Sequence, residues 1–329
     1  MRETIQNTNG KQFHAVSLSG GKDSSAMLLL MIERDMPINM VLSADTGMEF
    51  PEMYEHLAKL DEHLFRERGI HITTLRHPKG FEYLMFDEPK QKPRSLENRA
   101  KLGIPPYGNG WPGIRVRWCT GQLKTHLITK EVNRLKGELG AIHYVGIAAD
   151  EAWRCKDERY PLVEWGITEA QALQACYDRG FDFGGLYEIY HRASCWCCPF
   201  QRIDELRKLR KHHPELWEKL LELDRRALAQ FGTGPLGQFK QNWSVKRLDT
   251  RFAEEDGQTG CLFISAPLSL DGQDAVQRGG GDPQALGHGD VVFHTFIHGA
   301  AANHQHTSAA QILPRHVDAV LVLLRNLIA

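Results

Sequence analysis

Apolar residues near the start of the chain form short runs that alternate with longer amphipathic stretches. The runs at 13–18, 38–44 and 70–75 are bounded by polar or glycine-containing segments, which is typical of buried strands. The stretches between them, 24–34 and Pro51–Arg68, are too long for strands and predict helices, and the proline suits a first helical turn. The pattern therefore predicts alternating strands and helices, the arrangement of a parallel sheet with crossover helices.

The pattern loosens over about 88–117, where prolines and glycines interrupt the chain. Loops of this length in compact domains are usually lids, binding loops or disordered segments. Beyond it, 122–139 predicts a helix, 141–148 a fourth strand, and 203–228 a charged helix broken at His213-Pro214. The expected fold class is an open, mostly parallel α/β sheet with flanking helices and a helical C-terminal extension.

Changes in composition suggest the domain boundaries. We place a main α/β domain at 1–200, a helical extension at 201–256 and a tail at 257–329. The tail contains no lysine and is rich in glycine and histidine. Because its histidines lack the tight spacing of metal ligands, we expect a poorly ordered tail with one terminal helix at 317–327, and a histidine metal site is the alternative.

The composition is that of an ordinary globular protein, with 42% hydrophobic residues, 25% charged residues and a net charge of −1. Such a charge implies no overall attraction to nucleic acid or membranes. The chain lacks the ~18-residue apolar run of a membrane span and the apolar core of a signal peptide. Its seven cysteines are odd in number and unevenly clustered, unlike a secreted disulfide framework. We therefore expect a cytoplasmic protein with no membrane association, in which clustered thiols bind metal or perform redox chemistry.

The strongest chemical signal is a glycine-containing loop between the first predicted strand and helix. It consists of Ser19-Gly20-Gly21-Lys22-Asp23-Ser24, followed by Ser25. Glycines let a backbone approach a ligand closely, and amides at a helix N-terminus suit phosphate. Lys22 adds a positive charge, while Asp23 suits a nearby Mg²⁺ or caps the loop. The spacing is not that of the Walker loop, and a glycine turn with an ordinary helix cap is the alternative.

This hexapeptide resembles the pyrophosphatase loop (PP-loop) of the adenine nucleotide α-hydrolase superfamily, and within it the chain resembles the phosphoadenosine phosphosulfate reductase family. Three later segments are similar to motifs of that family, namely 45–52, 146–154 and 161–165. The resemblance covers roughly 13–220 and implies that Asp45, Thr46 and Gly47 line an adenine nucleotide pocket. Glu151 and Arg154 follow a predicted strand end, where open α/β sheets bind ligands.

Two departures bear on the expected reaction. The family usually has an arginine where this chain has Ala148, and its reductases use a Glu-Cys-Gly motif that Gly260-Cys261-Leu262 does not match. Those reductases also tend to have an altered phosphate loop, whereas this one is intact. The resemblance therefore implies a relative that splits ATP between its α and β phosphates. Thiol-dependent reduction of adenylyl sulfate or phosphoadenylyl sulfate to sulfite is the alternative.

A cysteine cluster, Cys195-Trp196-Cys197-Cys198-Pro199, is the second strong feature. Thiols at this spacing can bind an iron–sulfur cluster or zinc, and a Cys195–Cys198 disulfide or inert burial are further alternatives. Cys119 lies in the region where iron–sulfur members of the resembled family place another cysteine. The resemblance thus implies a [4Fe–4S] cluster held by Cys119, Cys195 and Cys198, with Cys197 as fourth ligand or as a free reactive thiol.

Two basic groups are candidates for contact with an anionic substrate. Arg115, Arg117 and Lys124 bracket Cys119 and either face such a substrate or form a solvated basic loop. The pairs at 207–208 and 210–211 lie on a predicted helix, where they are most simply an exposed face, with contact to RNA or DNA as the alternative.

The main functional hypothesis is an enzyme that binds ATP with Mg²⁺, transfers AMP to a substrate oxygen, releases pyrophosphate and couples this to sulfur transfer at the cysteine centre. Lys22, Asp23 and Cys197 are the expected catalytic residues. The candidate partners are a tRNA or DNA substrate and a protein sulfur donor, and an oligomer is compatible with the sequence. A nucleotide-sensing module without turnover is the alternative from another functional class.

Overall fold

The computed structural model describes residues 12–262 apart from 115, 136–139 and 194. Four parallel strands form its central sheet in the order β3-β2-β1-β4. The strands are β1 (Phe13–Ser17), β2 (Met40–Asp45), β3 (Ile72–Arg76) and β4 (Ala141–Val145). The prediction of an open parallel α/β sheet is confirmed.

Helices connect and flank these strands. In chain order they are α1 (Lys22–Glu33), α2 (Pro51–Arg68), α3 (Gly80–Phe86), α4 (Pro93–Lys101), α5 (Trp118–Thr120), α6 (His126–Leu135), α7 (Pro161–Glu164), α8 (Glu169–Tyr177), α9 (Leu186–Ile189), α10 (Ile203–His212), α11 (Pro214–Phe231) and α12 (Val245–Leu262). A π-helical turn (Gly121–Thr125) joins α5 to α6, and a 3-10 turn (Ala149–Arg154) follows β4. No helix among the described residues is long and apolar enough to cross a membrane.

Apolar residues cover both faces of the sheet, as the near-continuous apolar strands require. On one face, Phe13 and Ala15 of β1 pack with Ile128 and Val132 of α6. The other face belongs to the main core, in which Val16 lies with the buried residues of α1. Burial of consecutive residues 24–32 shows that α1 is enclosed on every side, so the loop before it has a rigid support.

The segment at 88–117, expected as a long loop, contains the helix α4. The buried Arg99 near the end of this helix donates hydrogen bonds to the carbonyl oxygens of Pro105, Tyr107 and Gly108 at 2.7, 2.9 and 2.6 Å. Charged side chains are rarely buried without such partners. Arg99 therefore stabilises the turn-rich chain after α4, a contact that the local composition does not reveal.

Several predicted element boundaries differ from those observed. The helix expected at 122–139 begins earlier, at Trp118, and is described to Leu135. The fourth strand was expected at 141–148 but ends at Val145. The break predicted at His213-Pro214 is confirmed, since α10 ends and α11 begins there. The predicted terminal helix at 317–327 and the tail histidines lie outside the described residues.

The basic pairs of α10 contact α12. Arg210 contacts Asp249 and Asp256, each at 2.8 Å, and Arg207 forms an ion pair with Glu255. These guanidinium groups are thus partnered by carboxylates across the helix interface. This arrangement favours a structural role over contact with nucleic acid.

Candidate functional site

The glycine-containing loop occupies the point where the strand order reverses, between β1 and β4. Open α/β sheets bind ligands at such points, outside the carboxyl ends of the strands. The two strands are followed by segments that touch, because a Cβ atom added to Gly146 would lie 2.6 Å from Cα of Ser24. A glycine is therefore required just after β4 for the chain to pass under the loop.

The loop backbone is fixed by its own serines and by α2. Gly20 has a φ of +80°, and a Cβ atom there would lie 2.7 Å from the sulfur of Met53. The Ser19 amide donates to Oγ of Ser24 at 3.1 Å, and the Ser25 hydroxyl donates to the Gly20 carbonyl at 3.1 Å. These contacts preorganise the loop around the N-terminus of α1, the arrangement that suits phosphate.

Lys22 has protein partners at both its side chain and its amide. Its Nζ atom lies 2.7 Å from a carboxylate oxygen of Glu169, the first residue of α8. Its amide donates to the hydroxyl oxygen of Tyr187 in α9 at 2.9 Å. Both groups would be expected to contact phosphate, so these side chains surround the predicted binding position.

Asp23 lies in an acidic environment. Carboxylate oxygens of Asp23, Glu151 and Glu169 lie within 4.8 Å of one another, and Arg154 forms an ion pair with Glu151. Oδ1 of Asp23 is buried and has no hydrogen-bond partner among the described residues. Burial raises the pKa of Asp23 to about 6; Lys22 opposes the shift, while Glu169 and Glu151 reinforce it. Glu169 and Glu151 already have cationic partners, so the unpartnered oxygen of Asp23 is the one that suits a hard cation such as Mg²⁺.

A cavity of about 250 Å³ lies between α2 and the strands β2 and β3, next to the phosphate loop. Ser19 of the loop, Asp45, Glu49, Tyr54 and Arg76 are among its lining residues. Asp45 already has three partners: it accepts from the Gly47 amide at 2.7 Å and the Tyr54 hydroxyl at 2.9 Å, and Arg76 lies 2.6 Å away. Asp45 therefore shapes the cavity wall, and of the two aspartates Asp23 is the one with an unpartnered oxygen.

Glu49 connects this cavity to the cysteine cluster. Its Oε1 atom accepts a hydrogen bond from the Cys195 thiol at 3.4 Å and from Thr46 at 3.1 Å, and Nζ of Lys124 lies 3.0 Å away. The Trp196 amide donates to the Met48 carbonyl at 3.1 Å, which holds the cysteine segment against the turn after β2. Glu49 thus belongs both to the cavity lining and to the surroundings of Cys195.

The thiols near Glu49 sit in a low-dielectric environment. Burial, with the neighbouring acidic groups, raises the pKa of Cys195 and of Cys197, and burial together with Cys198 raises the pKa of Cys119. Burial alone would lower the pKa of Lys124, but Cys195 and Glu49 outweigh it and hold that pKa above its usual range. The thiols of Cys119, Cys195 and Cys197 are therefore protonated at neutral pH, and a metal would displace their protons on binding.

The spacing of the thiols can be compared with that expected for two kinds of metal centre. Four thiolates around one zinc lie about 3.8 Å apart, from the usual Zn–S bond length and a tetrahedral geometry. Among the residues that the structure describes, no three cysteine sulfurs lie mutually within 4.8 Å. A multi-iron cluster binds each thiolate through a different iron and accepts wider spacing. The described thiols of Cys119, Cys195, Cys197 and Cys198 are therefore not gathered around a single metal position, and their spacing is compatible with a cluster of several irons.

Three residues of the site were not assigned a role from the sequence. Glu49 stands within a segment noted for its similarity, but its contact with Cys195 joins positions 146 residues apart. Glu169 lies within a capping box formed by Thr168 and Gln171, a signal for a helix start but not for contact with Lys22. Tyr187 has no local signal. Arg115 lies outside the described residues, and the Arg117 guanidinium lies over the Phe200 ring at 4.5 Å.

Parts of the chain are similar to a known family and to known proteins. Residues 14–96 match the family model described as the phosphoadenosine phosphosulfate reductase domain. Uncharacterized protein MJ0066 of Methanocaldococcus jannaschii is 25% identical over 226 residues, which are 62% of this chain and 40% of that protein. Uncharacterized protein MJ0973 of the same organism is 24% identical over 241 residues, 72% of this chain and 53% of that protein. The chain thus spans about half the length of the curated relatives it matches.

One solved structure with similarity is the U34-tRNA thiolase NcsA from Methanococcus maripaludis with its [4Fe-4S] cluster. The alignment covers 69% of this chain and 75% of that chain, with 17% sequence identity and a TM-score of 0.32. A similarity this distant carries no argument about the reaction.

Proposed function

We propose that this chain, in which residues 14–96 match the phosphoadenosine phosphosulfate reductase domain, transfers AMP from ATP to a substrate oxygen. The acceptor oxygen attacks the α-phosphorus, the bond from that phosphorus to the α–β bridging oxygen breaks, and pyrophosphate leaves. The acceptor gives up its proton to solvent. The adenylated substrate is then primed for displacement of AMP by sulfur, with a tRNA or DNA as the candidate substrate and a protein as the candidate sulfur donor.

The loop residues have different roles in binding phosphate. Lys22 and the amides at the N-terminus of α1 offset charge that builds on the phosphates as the bond breaks. Ser19, Ser24 and Ser25 fix the backbone that presents those amides. Asp23, with its unpartnered oxygen, would hold Mg²⁺, which supplies further positive charge beside the phosphates when bound.

The thiol cluster would hold an iron–sulfur centre. Cys119, Cys195 and Cys198 would be its ligands, with Cys197 as the fourth ligand or as a free thiol. A [4Fe–4S] cluster with three protein ligands supplies an iron with an open position, which can take up sulfide or substrate. Lys124 lies beside Glu49 and Cys195, where its positive charge offsets the negative charge of thiolate ligands.

The observation that carries this proposal is the position of Glu49, which lines the cavity and also contacts a thiol of the cysteine cluster. Ser19 of the phosphate loop and Glu49 line the same cavity, and Glu49 accepts a hydrogen bond from Cys195. A nucleotide bound there would have its reactive phosphate and the thiol cluster on one edge of the sheet. This favours coupling of adenylation to sulfur chemistry over two unrelated sites.

Release of labelled pyrophosphate from ATP tests the proposal. The anaerobically purified protein is incubated with Mg²⁺ and with tRNA or DNA as the acceptor. We expect release by the wild type and its loss in Lys22→Ala, while Lys219→Ala, a change of an exposed lysine on α11, leaves it unaltered. Undiminished release by Lys22→Ala would refute the mechanism. Sulfite formation from adenylyl sulfate would favour the reductase, and nucleotide binding without turnover would favour the sensing module.

A further inference from the structure

The ion pair between Lys22 and Glu169 lies where phosphate is proposed to bind. The Lys22 side chain is 11% exposed and that of Glu169 is 27% exposed, so water screens the pair only partly. Partly buried pairs interact more strongly than pairs on an open surface. A phosphate oxygen that takes up Nζ of Lys22 must therefore compete with the Glu169 carboxylate.

Glu169 is held in place by contacts that do not involve its own carboxylate. Thr168 and Gln171 form a capping box that fixes the start of α8. The Glu169 amide donates to Oδ1 of Asp150 at 3.0 Å, which ties it to the turn after β4. The Cys176 thiol of the same helix donates to the Lys22 carbonyl at 3.6 Å. The backbone that carries the Glu169 carboxylate is thus fixed beside Lys22.

Removing Lys22 from this pair changes the local charge balance. Glu169 lies within 4.8 Å of carboxylate oxygens of Asp23 and Glu151, and Arg154 is paired with Glu151. If Lys22 turns to a phosphate, Glu169 loses its partner while another negative group arrives nearby. Like charges this close disfavour binding unless a cation offsets them.

We propose that the ion pair from Glu169 to Lys22 positions the lysine and makes tight phosphate binding conditional on a divalent cation. We call this ion pair the electrostatic latch. This rests on the proposed function, because it requires that the loop bind the phosphates of a nucleotide. Glu169 acts through Lys22, so it is a positioning residue. The latch restricts the loop to a metal-complexed polyphosphate and selects against the metal-free nucleotide.

The test measures binding and does not depend on turnover. The probe is α,β-methylene ATP, in which the bond between the α and β phosphates resists cleavage. Its affinity is measured by calorimetry in excess Mg²⁺ and again in EDTA. We expect Glu169→Gln to bind the metal-free probe about three- to tenfold more tightly than the wild type, as expected for a partly buried ion pair. The ratio of the affinity in Mg²⁺ to the affinity in EDTA therefore falls in Glu169→Gln, whereas Glu169→Asp retains the dependence on Mg²⁺.

Glu33→Gln is the matched control. Glu33 lies at the other end of α1 and contacts Arg179 at 2.5 Å, so its substitution removes an ion pair of the same helix away from the loop. We expect this variant to keep the wild-type ratio of affinities. Thermal unfolding of each variant verifies that the proteins compared are folded.

An unchanged ratio in Glu169→Gln overturns the latch. Weaker binding in Mg²⁺ without a gain in EDTA also overturns it, because Glu169 would then act as a metal ligand. Lys22→Ala is measured in parallel, and unaltered affinity in that variant would contradict the proposed function itself. If Lys22→Ala binds the probe more weakly and Glu169→Gln keeps the wild-type ratio of affinities, the latch is refuted while the proposed function stands.

Discussion

Asp23→Asn should make the folded protein more stable at neutral pH, although it alters the phosphate loop. The pKa of Asp23 rises from the model-compound value of 3.8 to about 6, first because the carboxyl is buried and then because Glu169 and Glu151 lie nearby. Each pKa unit corresponds to 1.36 kcal/mol, so full ionisation of this carboxyl in the folded state opposes folding by about 3 kcal/mol. Solvent screening of a partly exposed group reduces this, and we expect a gain of about 1–2 kcal/mol.

The direction of the pH dependence follows from the raised pKa. Below the unfolded-state pKa of 3.8, Asp23 is protonated in both states and the substitution has little effect. As pH rises towards about 6 and beyond, the unfolded chain is ionised while ionisation in the folded protein is unfavourable. The stability difference between Asp23→Asn and wild type should therefore grow from pH 4 to pH 7 and then level off.

Urea unfolding of both proteins in Mg²⁺-free buffer between pH 4 and pH 8 provides the measurement. Asp178→Asn, at an exposed position after α8, corrects for the loss of any surface aspartate. The same stability difference at every pH, or a difference that falls as pH rises, would refute this account of Asp23. The asparagine variant should also lose pyrophosphate release, since it cannot hold Mg²⁺ as a carboxylate does.

Two further predictions concern the loop support and the thiols. Gly146→Ala places a Cβ atom 2.6 Å from Cα of Ser24, so we expect a loss of about 1–3 kcal/mol in unfolding free energy and weaker binding of ATP. Gly113→Ala, which meets no atom within 4 Å, should change neither quantity, and equal behaviour of the two variants would contradict the argument. Anaerobically purified protein should contain about four irons and absorb broadly near ~400 nm, and Cys198→Ser should lose the iron while Cys155→Ser retains it. Colourless protein with one zinc would contradict the cluster.

The sequence determined the sheet and the phosphate loop because both depend on local patterns. Each strand is a short apolar run, and α2 coincides with the predicted Pro51–Arg68, since a proline start and a regular apolar spacing act within one helix. The loop is recognisable because its glycines, lysine and serines are consecutive. Helix α4 was not predicted because the turn residues of this segment indicate only a loop. The contacts of Arg99, which stabilise the chain after the helix, are not visible in the local sequence.

The phosphate loop shows most clearly which features of the site the sequence determines and which depend on the tertiary structure. Consecutive residues identify Ser19–Ser24 as a phosphate-binding candidate, but only the fold brings Glu169 and Tyr187 to Lys22, the latter from 165 residues away. The contact of Glu49 with Cys195 likewise depends on how the segments after separate strands meet at one sheet edge. Local chemistry therefore shows which groups can bind phosphate or metal. Their charge balance depends on long-range packing, because the electrostatic energy of each group is set by neighbours that are distant in the chain.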